Sequence, residues 1–189
     1  WRPPIARQRV AWAAADVYRE QVKDGWVCWA FSNHDVTRHV SRWMQPGDDQ
    51  DHLARFSLTL LASLRGTICL YQGEELGLEE ADIAFEDLTD PYGIRFWPAY
   101  KGRDGCRTPM VWTRQAANGG FSDAARSWLP VPESHYHRAV DQQLHVTGSV
   151  LNHYRATLAF RKELPAMIDG EMLFLDPDGA VLAFVRGEG

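Results

Sequence analysis

Read from the amino end, the chain alternates stretches of helically spaced apolar residues with short apolar runs, then loses that order. Pro3 and Pro4 can open a helix, because a proline in the first turn lacks an N–H that has no partner there anyway. Val10, Ala14, Val17 and Tyr18 follow at helical spacing, and Asp24-Gly25 closes the stretch. Trp26 to Phe31 is a near-continuous apolar run, which suits a strand buried on both faces. Asp48, Asp49 and Asp51 offer a cap and dipole-favourable acids to a second helix. Its apolar face is expected to run through Leu53, Phe56, Leu60, Leu61 and Leu64, with Gly66 as the stop. Thr67 to Tyr71 is a second strand of the buried type. Strand, helix, strand with apolar runs inside is the βαβ pattern of a parallel sheet, so the fold class is α/β.

From Ala81 to about Ser149 the periodicity stops, and Pro91, Pro98, Pro109, Pro130 and Pro132 fall in this stretch. A connection of that length inside a compact domain is usually functional. A last helix carries Val150, Leu151, Tyr154 and Leu158 on one stripe and ends before Pro165. Leu173-Phe174-Leu175, then Asp176-Pro177-Asp178-Gly179, then Val181 to Val185 reads as strand, turn, strand. An isolated hairpin is marginal in water, so more β structure is expected beyond it. With Trp1 at its start, the chain reads as part of a longer polypeptide.

Composition narrows the picture. A hydrophobic fraction of 45% and a charged fraction of 24% describe a globular chain and argue against disorder. A net charge of −5 leaves no basic surplus for a phosphate backbone, so no nucleic-acid partner is expected. No apolar run approaches the ~20 residues that span a membrane. Cys28, Cys69 and Cys106 sit at no metal-like spacing and read as free thiols of a reducing, cytoplasmic compartment. The 8 tryptophans are an excess that serves either core packing or the stacking of sugar rings.

Both predicted strands run into polar residues: Asn33-His34-Asp35 after the first, Gln72-Gly73-Glu74-Glu75 after the second. Parallel α/β folds build their sites at the carboxyl ends of strands, and adjacent strands bring the two groups to one rim. Asp35 can face a developing positive charge while His34 donates to a substrate hydroxyl. Equally, Asn33 and Asp35 can cap the following turn around a satisfied histidine. A metal held by His34, Asp35 and Glu74 is a further alternative, but it lacks a fourth ligand at a suitable spacing. The acids at 74 and 75 are either catalytic or tie loops together through Arg38, Arg42, Arg95 or Arg107. Arg103-Asp104 is either a solvated surface pair or part of an arginine fork beside a polyol site.

Three segments together resemble one family. Ala30 to Arg38, with its Asn-His-Asp core, resembles the motif closing the seventh barrel strand in the α-amylase-type enzymes of glycoside hydrolase family 13. Tyr71-Gln72-Gly73-Glu74-Glu75-Leu76-Gly77 resembles the eighth-strand motif of that family. Gly102 to Trp112 resembles the loop typical of its α-glucosidase and oligo-1,6-glucosidase branch.

The resemblance implies the C-terminal part of a (β/α)8 TIM barrel over residues 1–168, comprising strands seven and eight with their helices and a long loop at about 81–149. Residues 169–189 would then begin an all-β C-terminal domain. It implies a retaining, exo-acting α-glucosidase of short glucosides, with glucosyl transfer as a second outcome. The substrate would be maltose-like or an aryl glucoside. Retaining chemistry needs a nucleophile and an acid/base, and neither family motif is in this sequence, so the chain alone is expected to be inactive. By resemblance, Asp35 stabilises the transition state at the cleaved ring, His34 binds that ring, and Arg103 contacts it or orients a carboxylate, with Arg107 second in line for that role. No cofactor and no metal are implied for these residues, and the partner is the N-terminal part of the same barrel. A non-catalytic glucosidase-like subunit and a carbohydrate-binding module are the alternatives.

Overall fold

The computed structural model describes residues 25–175 and 181–187. The helix expected from Pro3 to Tyr18 and the turn at Asp176 to Gly179 lie outside the described residues. Strand β1 (Cys28–Trp29) pairs in parallel with β2 (Thr67–Ile68), Cys28 opposite Thr67 and Trp29 opposite Ile68. The amides of Thr67 and Cys69 donate to the carbonyls of Val27 and Trp29, each at 2.8 Å. Between the strands run helices α1 (His39–Trp43) and α2 (Gln50–Ser63), so the βαβ unit is present. The strands were expected to be buried on both faces, and only one is covered. Trp29, Phe31, Ile68 and Leu70 pack against the helices, whereas Trp26, Cys28, Ala30, Thr67 and Cys69 are exposed.

Helix α2 starts where the acids placed it, with the Asp49 side chain accepting from the His52 amide at 2.6 Å. Its inward face runs through Leu53, Ala54, Ser57, Leu58 and Leu61, a narrower stripe than the leucines suggest. Phe56, expected on that face, is 49% exposed. Gly66 lies beyond the helix end and has φ of +116°. A Cβ there would sit 2.4 Å from the Val27 carbonyl oxygen, so glycine is what lets β2 close against β1. Trp43, which falls in a loop by sequence pattern, belongs to α1 and is buried edge-on against Phe31 at 4.9 Å.

Helix α6 (Val150–Glu163) packs on the same layer, with Val150 and Tyr154 joining Val40, Ala54 and Leu58 in one apolar cluster. Arg161 of α6 is buried and donates to the carbonyls of Ala62, Leu64, Gly66 and Met167. It thereby caps α2 and fixes it to α6 and to the short helix α7 (Pro165–Ile168). Strands β3 (Glu171–Leu175) and β4 (Ala183–Gly187) then form the expected antiparallel hairpin, with Leu173 opposite Val185 and Phe174 opposite Phe184.

The stretch from 81 to 149 holds only short elements: α3 (Pro91–Phe96), α4 (Glu133–Tyr136), α5 (Val140–Gln143) and three 3-10 turns. It is anchored by two apolar clusters. One joins Leu76 and Leu78 to Met110, Val111 and Ala139; the other gathers Ala81, Ile83, Leu88 and Leu129. His135 of α4 pins it further. Its Nε2 lies 2.9 Å from the Glu79 carbonyl oxygen and its Nδ1 3.5 Å from Thr108 Oγ1. A carbonyl only accepts, so the hydrogen of the neutral ring is on Nε2. Burial pushes the His135 pKa down to about 4. Between about 6.5 and 4 the unfolded chain therefore binds a proton that the folded chain refuses. Stability is expected to fall as pH drops through that window, at up to about 1.4 kcal/mol per pH unit from this residue. Comparing denaturant midpoints of wild type and His135→Gln from pH 7 to 4 isolates the effect. A variant that loses stability on acidification as steeply as wild type would contradict it.

Candidate active site

Because β1 and β2 are parallel neighbours, the residues following each emerge on one rim. Asn33 Oδ1 accepts from the Asp35 amide at 2.8 Å, a local turn that lifts the Asp35 side chain to the surface. Arg42 of α1 donates to the Phe31 carbonyl at 2.6 Å and holds the start of that turn. The Asp35 carboxylate is half exposed, and its two oxygens differ. Oδ1 accepts from Arg103 Nη1 at 3.0 Å and from Arg107 Nη2 at 2.9 Å. Oδ2 faces His34 Nε2 at 3.5 Å.

The two arginines are held differently. Arg107 donates through Nε to the His34 carbonyl at 2.7 Å, and its own carbonyl accepts from Trp128 Nε1 at 3.0 Å. Arg103 grips Asp90 with Nε at 2.8 Å and Nη2 at 3.0 Å, a bidentate pair. Asp90 also accepts from the Arg103 amide and caps α3 by accepting from the Tyr92 amide. Its side chain is fully enclosed, and the Arg103 guanidinium holds its carboxyl well below the usual carboxylate range. Asp90 in return raises the Arg103 pKa further. Gly93 and Gly102 make the pairing possible. A Cβ on Gly93 would lie 2.6 Å from the Lys101 carbonyl oxygen, and one on Gly102 2.8 Å from the Gly93 Cα.

The structure thus brings Asp35, His34, Arg103 and Arg107 together. Glu74 is not among them: it is buried beside His39, with Oε1 at 3.7 Å from Nδ1. The grouping of His34, Asp35 and Glu74 is therefore not assembled, and among the described residues no three His, Cys, Asp or Glu side chains converge to hold a metal. The loop-tying arginines also differ from expectation. Arg38 meets the carbonyls of Gln72 and Cys106 rather than the acids at 74 and 75. Arg107 further lines a cavity of about 450 Å³ with Gln72, Glu75, Trp112, Phe121 and Trp128. Trp112 and Trp128 are each about half exposed there, and burial pushes the Glu75 carboxyl up.

Asp90 escaped the sequence reading. Its available signal was Asp-Pro at a helix start, a capping residue before a proline in the first turn. That signal speaks of a cap and says nothing of an arginine partner. A carboxylate fixed on one oxygen by two guanidinium groups, with its second oxygen beside an imidazole, presents a preorganised acceptor to hydroxyls or to developing positive charge. Asp90→Asn keeps the cap but removes the charge facing Arg103. It is expected to lower stability by about 1–2 kcal/mol, read from the denaturant midpoint. An unchanged midpoint would show that the pair contributes nothing.

The sequence matches the family described as "Alpha amylase, catalytic domain" over residues 6–170. A probable alpha-glucosidase of Rhizobium meliloti (strain 1021) is 56% identical over 98% of this chain and 33% of its own length. An oligo-1,6-glucosidase of Halalkalibacterium halodurans is 32% identical over 86% of this chain and 32% of its own. Among solved structures, the alpha-glucosyl transfer enzyme XgtA superposes with a TM-score of 0.87 at 50% identity, over 95% of this chain and 33% of that one. The chain spans about a third of the length of these relatives. The chain therefore belongs to the α-amylase catalytic-domain family of glycoside hydrolases.

Proposed function

We propose that the whole protein is a retaining, exo-acting α-glucosidase that cleaves terminal α-glucosidic bonds of short glucosides and transfers glucosyl groups to acceptors other than water. The observation that carries this is the Asp35 carboxylate, held by Arg103 and Arg107 on one oxygen and facing only the His34 imidazole with the other. Asp35 accepts from hydroxyls of the terminal ring and faces the oxocarbenium-like charge of the transition state. His34, whose side chain is largely exposed, donates to the same ring. Arg103 and Arg107 hold the Asp35 carboxylate in place, so no reorganisation is needed as charge develops. The exposed faces of Trp112 and Trp128 beside Arg107 offer apolar area to a second ring.

The names of the relatives support the substrate class, and the transfer enzyme among the solved structures supports the second outcome. The nucleophile and acid/base are placed elsewhere in the whole protein. The hairpin from Glu171 onward supports a domain boundary near residue 169. Asp35→Asn in the full-length protein is expected to cut kcat on an aryl α-glucoside at least ~1,000-fold. Its thermal midpoint should stay near wild type, because the side chain is half exposed. A near-wild-type rate would remove Asp35 from the site.

A further inference from the structure

Arg38 stands three residues after Asp35 and is 1% exposed, among the largest fully enclosed side chains described. No carboxylate pairs with its guanidinium among the described residues. Nη1 donates to the Gln72 carbonyl at 2.6 Å and Nη2 to the Cys106 carbonyl at 3.0 Å. The guanidinium lies over the Tyr71 ring at 5.4 Å, and the Tyr71 hydroxyl donates to the same Cys106 carbonyl at 3.1 Å. Its amide donates to Glu80 Oε2 at 2.9 Å. Glu80 and Glu74 lie near enough to favour the charge, but burying a cation with no carboxylate in direct contact is still costly, and an apolar residue of similar volume would fill the space without that cost. The neighbourhood is nonetheless shaped to admit the charge. Gly73 has φ of +88°, and a Cβ on it would come within 2.7 Å of Arg38 Nη1.

What the fork joins gives the reason. Gln72 follows β2, Cys106 lies in the 3-10 turn between Arg103 and Arg107, and Arg38 itself follows the Asp35 turn. Remove the fork and the turn bearing both site arginines keeps only outer contacts to the Asp35 turn, at Asp35 itself and at the His34 carbonyl. We infer that Arg38 is a positioning residue, whose fork on the carbonyls of Gln72 and Cys106 sets where Arg103 and Arg107 stand relative to Asp35. It touches no substrate, and its effect passes through the arginines. This inference rests on the proposed α-glucosidase site.

A double-mutant cycle in the full-length protein tests it, with hydrolysis of an aryl α-glucoside as the readout. Arg38→Lys keeps the charge and loses the planar fork, so it is the primary variant; Arg38→Met, which also removes the charge, is the second. Arg38→Lys is expected to lower kcat/KM about 10-fold in the wild-type background and less than about 2-fold when Arg103 and Arg107 are both already alanine, because one change acts through the other. A residue that only supports the fold would lower activity by the same factor in both backgrounds. Equal factors, or no loss from either Arg38 variant, would overturn the inference. The wild-type rate separates the two claims: absence of turnover by the intact protein refutes the α-glucosidase reading, whereas turnover with multiplicative losses refutes the role of Arg38 alone.

Discussion

At one carboxylate oxygen, Asp35 Oδ1, the turn after the first strand and the long segment after the second are tied together at the site. The turn after β1 presents it, and the long segment after β2 reaches back to it with two guanidinium groups. Several other contacts at the rim support this junction. Asn33 shapes the turn, Arg42 holds its base, Asp90 takes up one arginine from below, and the His34 carbonyl takes up the other. Like charges this close require compensation. Arg103 and Arg107 stand side by side because Asp35 lies between them and Asp90 behind one.

Burial is distributed unevenly across the network. Asp90 is enclosed and satisfied by three donors from Arg103 and one from Tyr92, the condition under which a buried carboxylate is tolerable. Asp35 is half exposed, where ion pairs are weak in stability terms. The enclosed partner contributes to the fold, and the exposed one remains available to a ligand. Arg161, buried against four carbonyls at the far side of the helical layer, shows the same economy without any carboxylate.

The elements built on local chemistry were legible in the sequence. Asp49 marked the start of α2, Pro165 the end of α6, and the Leu173 and Val185 runs the hairpin. The strands were legible in type but not in extent, because a ladder exists only where a partner strand supplies donors and acceptors, and the pairing covers Cys28–Trp29 alone on the first strand. Leucine spacing misplaced Phe56, since the width of the buried stripe is set by what packs on it, and α1, only five residues long, is too short to show a periodicity. At the site, Asn33-His34-Asp35 could be read as a turn or as chemistry, and only the resemblance to a family favoured the second. The contacts of Asp35 with Arg103 and Arg107 span 68 and 72 positions, and no periodicity reaches that far. Asp90 and Arg38 were invisible as site residues for the same reason. Asp90 carries only the local signal of a helix cap, Arg38 reads as a loop-tying arginine, and their actual partners are brought in by the packing of the long segment.

Asp35 is held by one oxygen so that the other can meet a sugar. A crystal structure of the full-length protein with glucose bound tests this most directly. The account expects a sugar hydroxyl about 2.6–3.2 Å from Asp35 Oδ2, with Arg103 and Arg107 still on Oδ1. Glucose bound away from Asp35, or bound there with both arginines withdrawn from it, would contradict the account.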